Sequence, residues 1–254
     1  MLNQRLESPW NFSQGLLVLV TFIVLYIALT AAHMLWVKST VGFEVYLKSD
    51  TDFYTKVLMS GQIFKGLAIL AAIWFMALKR HRLNWTSLGF VSTTKKWLAI
   101  ALLVACLGFV LRLLLMKWLA VEIPGWTRFM QPPLKDLSLS GITLALFLLL
   151  TVILTPIVEE IFFRGFLFRW MANRRPVWLA AVISSAMFGA SHIVPPQAIS
   201  AALMSFLIIY LYVKSGSIWP AIFCHIVNNA ISFCGNLLAS ADMLPSFLSP
   251  PVTI

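Results

Sequence analysis

Two adjacent carboxylates and a guanidinium stand in a stretch otherwise suited to hydrocarbon, Pro156-Ile157-Val158-Glu159-Glu160-Ile161-Phe162-Phe163-Arg164-Gly165. Ionisable groups at membrane depth are expensive and persist where they pair with one another or take part in function. On a helix, Glu160 and Arg164 share a face at i and i+4, with the acid N-terminal to the base, the favourable order for an ion pair. Glu159 lies about 100° further round the helix and needs a different partner. Pro156 has no N–H to donate to the carbonyl of Val152, so the helix is expected to bend or loosen about one turn before the carboxylates. The competing reading is a solvated helix end whose Glu and Arg snorkel to the headgroups.

Two histidines add to this pattern. His192 follows Phe188 at i+4 in Phe188-Gly189-Ala190-Ser191-His192, and the small residues Ala186, Gly189, Ala190 and Ser191 would let a neighbouring helix approach closely. His225 is followed one turn later by Asn229, and these polar groups must find partners within the bilayer. A lone buried histidine is more often a satisfied structural group, but a second one with an unmatched carboxylate favours chemistry. Glu and two His are groups that activate water, as general base or by holding a metal. Amide and imidazole donors stabilise a tetrahedral oxyanion. The composite reads as hydrolysis of an acyl bond inside a bilayer, and a proton-coupled transporter could use the same side chains. Cys224 precedes His225, but neighbours at i and i+1 diverge by about 100° on a helix and do not hydrogen-bond there, so a buried packing role is the simpler one. His33 and His81 read as interfacial.

The elements that must position these residues are membrane helices. The chain has 254 residues, 60% hydrophobic and 11% charged, with a mean hydropathy of +0.89, which excludes an ordinary soluble globule. Its net charge of +10 fits basic loops facing anionic lipid, with no nucleic-acid partner implied. Apolar runs at 15–36, 58–78, 97–119, 142–170, 177–194, 199–213 and 218–238 predict an all-α, polytopic helix bundle of seven spans, or eight with a re-entrant segment. The first run is too long for the apolar region of a cleavable signal and reads as a retained helix. The active site falls between late helices, in a core at 142–238 of a single membrane domain covering 1–254.

Lys79, Arg80, Arg82, Lys95 and Lys96 load the loop after the second span, and Arg169, Arg174 and Arg175 load the loop after the fourth. Both are expected in the cytoplasm together with the N-terminus of a multi-pass cell-membrane protein. The stretches at 38–56 and 120–140 read as connectors, anchored at the interface by Phe43, Tyr46, Phe53, Tyr54, Trp118 and Trp126.

Glu159-Glu160-x-x-x-Arg164, Phe188-x-x-x-His192 and His225-x-x-x-Asn229, in that order on successive late helices, resemble the three motifs of the CPBP family. That family comprises the prenyl (CAAX) endopeptidases and bacterial Abi-type, bacteriocin-processing or immunity relatives. The turn Leu88-Gly89-Phe90 is similar to a feature often found upstream in such proteins. The resemblance implies an intramembrane endopeptidase, or putting it by mechanism a glutamate-dependent hydrolase, acting on a membrane-embedded peptide or protein. Glu159 and His192 would activate the water, His225 with Asn229 would stabilise the oxyanion, and Glu160 with Arg164 would complete the site. Phe163 and Phe188 are the residues expected to contact substrate. Glu159, His192 and His225 could instead hold Zn²⁺ with an open position for water. Without H-E-x-x-H spacing, and with Glu160 already paired, metal-free activation is the preferred expectation. A non-proteolytic immunity or scaffold protein and a proton-linked transporter are the alternatives.

Overall fold

In the computed structural model, residues 8–42, 51–129, 134, 137–241 and 243 are described. The chain forms a polytopic bundle with no strand among these residues. Its helices are α1 (Phe12–Thr40), α2 (Thr51–Ala72), α3 (Lys95–Glu122), α4 (Gly141–Ala172), α5 (Val177–Ala190), α6 (Pro195–Ser215) and α7 (Trp219–Ser240). Six of the seven are long and apolar enough to cross a membrane, and α5 is the shorter one. Leu102, Leu103, Leu107, Val110, Leu111 and Leu114 of α3 point outward, as lipid-facing side chains do.

Each helix begins and ends for local reasons. Asn11 caps α1, accepting from the backbone of Gln14 while the Gln14 side chain accepts from the backbone of Asn11. Proline stands in the first turn of both α6 and α7, where its missing N–H costs nothing. The fifth predicted span, 177–194, is corrected: the helix stops at Ala190 and the chain turns through Ser191–Val194 into α6. Hydropathy alone counted the apolar Ile193 and Val194 as helix. Close contact with α6 runs through Gly189, where an added Cβ would come to 2.7 Å from the Ala198 carbonyl oxygen.

The loosening expected near Pro156 is present and extends to both sides. Leu149–Leu154 and Ile161–Phe168 are wound as π-helix, with Thr155–Glu160 as α-helix between them. Hydrogen bonds from i to i+5 absorb the donor that proline lacks, and such wide turns often occur at functional sites. All eight residues from Ile161 to Phe168 are buried. This turn of α4 is thus the axle around which the other helices pack.

One end of the bundle gathers the N-terminal segment and both basic loops. Trp10 Nε1 donates to the Ala77 carbonyl at 2.8 Å, Arg174 Nη2 to the Trp10 carbonyl at 2.7 Å and Trp170 Nε1 to the Asn11 carbonyl at 3.1 Å. Arg169 donates to the Ser87 carbonyl. Gly89, at φ +93°, turns the chain so that its carbonyl accepts from the Ile218 N–H at 2.9 Å. The turn Leu88-Gly89-Phe90 is therefore a brace beneath α4 and α7.

Two expectations change. His33 is buried rather than interfacial, its Nε2 lying 2.9 Å from Ser60 Oγ and its ring edge-on to Phe64, because α1 packs along α2 there. The first connector is shorter than expected, since α2 already begins at Thr51 and carries Phe53 and Tyr54. Phe43 and Tyr46 lie outside the described residues. Trp118 is on α3, and Trp126 packs against Met116, Leu119 and Ala120.

Candidate active site

The two carboxylates of α4 are both buried but face different neighbours. Glu160 Oε1 accepts from Arg164 Nη1 at 2.9 Å, within one turn of the same helix. The same oxygen lies 2.8 Å from His225 Nδ1 of α7. Arg164 Nη2 continues the chain to Ser205 Oγ of α6 at 2.9 Å, and its guanidinium stacks 4.7 Å over the Phe188 ring of α5. Glu160 and Arg164 are fully enclosed, so this network joins α4, α5, α6 and α7 without meeting any opening.

Glu159 faces a different side of the helix, although it too approaches His225. Its Oε1 accepts from Lys65 Nζ of α2 at 2.8 Å, and its Oε2 lies 4.0 Å from His225 Nε2. The Lys65 side chain keeps 25% of its surface exposed. Lys65 and Glu159 border a cleft of about 180 Å³ between α2 and α4, lined also by Gln62 and Thr155 and otherwise walled mainly by apolar side chains such as Leu67, Leu70, Leu150 and Leu154. The carboxylate thus bridges a cation at the cleft and an imidazole behind it.

Hydrogen bonding decides the state of both imidazoles. His225 Nδ1 faces a carboxylate oxygen, and His192 Nδ1 lies 3.0 Å from the Phe188 carbonyl. Both partners only accept, so in the neutral rings Nδ1 carries the proton and Nε2 presents a lone pair. His192 stands on the turn after α5, close enough to Glu159 to interact electrostatically, though no ion pair joins them among the described residues. Asn229 donates from Nδ2 to the Thr151 carbonyl at 3.1 Å, tying α7 to the π-wound part of α4. One amide proton of Asn229 is left for another acceptor.

Phe188 and Phe163 meet edge-to-face at 4.8 Å and are both buried. Phe188 also touches the rings of His192 and His225, so it spaces the two imidazoles from beneath. Cys224 is buried among the apolar residues of α3, α6 and α7, and all three cysteines are free.

Two cations well inside spans escaped the sequence reading, as did Lys117 near the end of the 97–119 run. Lys65 stands in the 58–78 run and Arg112 in the 97–119 run, where averaged hydropathy absorbed a single charge. The rule that singled out Glu159 applies to them equally and would have found both. Arg112 Nη1 donates to Ser232 Oγ of α7 at 2.9 Å, with its guanidinium 4.9 Å over the Phe109 ring.

For zinc, the donor types fit and their placement does not. Two imidazoles with Nδ1 held and Nε2 free, plus a carboxylate, are the usual set with its supporting hydrogen bonds. Yet among the described residues no three His, Cys, Asp or Glu side chains converge as a metal-holding group. Glu159, the shared member of any such set, already neutralises the Lys65 ammonium.

Comparison with known proteins points to the same segment. Residues 141–231 match the family model described as "Type II CAAX prenyl endopeptidase Rce1-like". The chain is also 32% identical over 84 residues to "Putative membrane peptidase YdiL" of Bacillus subtilis (strain 168). That alignment covers 33% of this chain and 34% of the relative, so the two correspond over about a third of their lengths. No solved structure matches. The matched segment carries Glu159, Glu160, Arg164, His192, His225 and Asn229, and over that segment the chain is similar to the type II CAAX prenyl endopeptidase Rce1-like family.

Proposed function

We propose that the protein is an intramembrane endopeptidase that uses Glu159 as general base on a water molecule. The observation that carries this reading is the 4.0 Å separation of Glu159 Oε2 from His225 Nε2, each fixed from its far side by a partner. A water about 2.8 Å from both acceptors closes a triangle on that gap. Its two protons point to Glu159 and His225, and a lone pair is left for attack.

Attack forms the bond from water oxygen to carbonyl carbon, moves the C=O π pair onto oxygen and passes one proton to Glu159. Collapse of the tetrahedral species re-forms C=O and breaks C–N, and Glu159 returns the proton to the departing amine. Glu160 and Arg164 act as positioning residues through His225. His192 supplies a second imidazole acceptor near Glu159, and Asn229 a free amide proton. No step passes through a metal, given the Lys65 ammonium on Glu159.

The family description and the cleft between α2 and α4 support, as substrate class, a peptide bearing a prenyl chain or an apolar membrane peptide entering from the bilayer. The basic residues at 79–96 and 169–175 support a cytoplasmic position for that end of the bundle.

The test uses purified protein in detergent with two internally quenched peptides, one ending in a farnesylated Cys-aliphatic-aliphatic-X sequence and one an apolar helical peptide. Cleavage of either by the wild type, lost in Glu159→Gln, is the expected result. Equal cleavage by Glu159→Gln, or cleavage of neither peptide by the wild type, would favour a non-proteolytic role.

A further inference from the structure

The groups the site turns toward a scissile bond are mostly acceptors. Glu159 Oε2 presents lone pairs, as do His225 Nε2 and His192 Nε2 in the neutral rings. A tetrahedral oxyanion needs donors, and an amide proton of Asn229 is a single neutral one. Arg164 is fully enclosed, with Nη1 and Nη2 committed to Glu160 and Ser205, so it cannot reach a substrate.

Lys65 differs on each count. Its ammonium has three N–H donors, and the contact with Glu159 Oε1 uses one. It borders the cleft together with Glu159 and stays partly exposed there. The two oxygens of the Glu159 carboxylate set the spacing: water rests on Oε2, and Lys65 on Oε1. Lys65 is thus the cation beside the proposed water site that also borders the cleft, within reach of the oxygen of a carbonyl bound there. The four-carbon stem lets the ammonium follow that oxygen as charge develops.

We propose that Lys65 is a catalytic residue, the cation that donates to the carbonyl oxygen as it becomes an oxyanion. The proposal rests on the peptidase reading above. As the water oxygen bonds to carbon and the π pair moves to oxygen, an N–H of Lys65 donates to that oxygen. The ammonium keeps its proton throughout, and the bond is given up when C=O re-forms. The catalytic unit then spans α2, α4, α5 and α7, and one member lies outside the family-matched segment 141–231.

The experiment uses the full chain and whichever of the two quenched peptides the wild type cleaves, together with its phosphinate analogue, a stable mimic of the tetrahedral species. Lys65→Met should lower kcat about 10²–10³-fold, the usual cost of one oxyanion donor, with KM changed less than about threefold. Affinity for the phosphinate should fall in proportion to kcat/KM, while affinity for the uncleaved peptide, measured in Glu159→Gln, stays level when Lys65→Met is added. Lys65→Arg keeps the ion pair with Glu159 whatever Met does to folding. It should exceed Met in kcat by at least about tenfold and obey the same proportionality. A Lys65→Met enzyme with near-native kcat, or an Arg variant whose phosphinate affinity does not track kcat/KM, overturns the assignment. If Glu159→Gln retains turnover, the peptidase reading falls and Lys65 with it. If Glu159→Gln is dead while Lys65→Met is not, the Lys65 role alone falls.

Discussion

Glu159 and Glu160 are adjacent in sequence, yet a rotation of about 100° round the helix sends them into two unlike regions. Around Glu160, Arg164, His225 and Ser205 form a sealed network whose members bind one another across four helices. Around Glu159, a lysine, an imidazole and a cleft meet, and the carboxylate retains an oxygen with no hydrogen bond to a protein donor among the described residues. Burial by itself therefore does not mark a reacting group. What separates the two is access: Glu160, whose Oε2 also lacks a hydrogen-bond partner, is fully enclosed, whereas Glu159 borders a cleft that a guest can enter.

The comparison breaks most readily at Glu159. Glu159→Gln keeps the shape of the side chain and removes its basicity, so kcat should fall at least about 10²–10⁴-fold, with little change in folded yield. Steady-state cleavage of the quenched peptides, with size-exclusion profiles as the folding control, reads both. Turnover near the wild-type value would erase the distinction between the two carboxylates.

Glu160→Gln should show the opposite balance. Removing one partner leaves the Arg164 charge buried without compensation, at a cost of about 3–5 kcal/mol. A lower melting temperature and poor recovery in detergent are expected alongside lost activity. A variant as stable as wild type would show that the sealed network contributes orientation only.

Ser205→Ala sharpens the same side with a smaller change, since Arg164 Nη2 keeps a long 3.4 Å contact to the Ser205 carbonyl. A loss of about 1–3 kcal/mol in stability is expected, with kcat falling less than in Glu159→Gln. A rate defect as large as that of Glu159→Gln, without loss of stability, would place Ser205 on the reacting side of the division.

The smallest expected effect is that of chelation. With Lys65 rather than a metal on Glu159, exhaustive chelation should leave cleavage unchanged. One tightly held Zn²⁺ per chain, lost in both His192→Ala and His225→Ala and restoring activity when added back to chelated protein, would put a metal where Lys65 is now assigned.

Much was legible in the one-dimensional pattern because its causes are local. A run of apolar residues long enough for the bilayer declares a helix, since every backbone group in hydrocarbon must bond within its own segment. The i to i+4 relation of Glu160 to Arg164 and the missing N–H of Pro156 are likewise properties of one helix, and the ion pair and the loosening at Leu149–Leu154 agree with them, whereas the π-wound Ile161–Phe168 was not signalled. The spacing of His192 from Phe188 also survives the end of α5, because the ring bonds back to the Phe188 carbonyl.

What hydropathy could not see were relations between helices. Lys65 lies 94 residues before Glu159, and nothing in either neighbourhood names the other. The same holds for His225 on Glu160 and for Arg112 on Ser232. Sequence determined which residues would need a partner, because burying charge and polarity is costly wherever it occurs. Only the tertiary packing of α2 and α7 against α4 decided who that partner is, because contact across a bundle depends on the rotation and depth of each helix, which apolar side chains facing lipid leave almost unspecified.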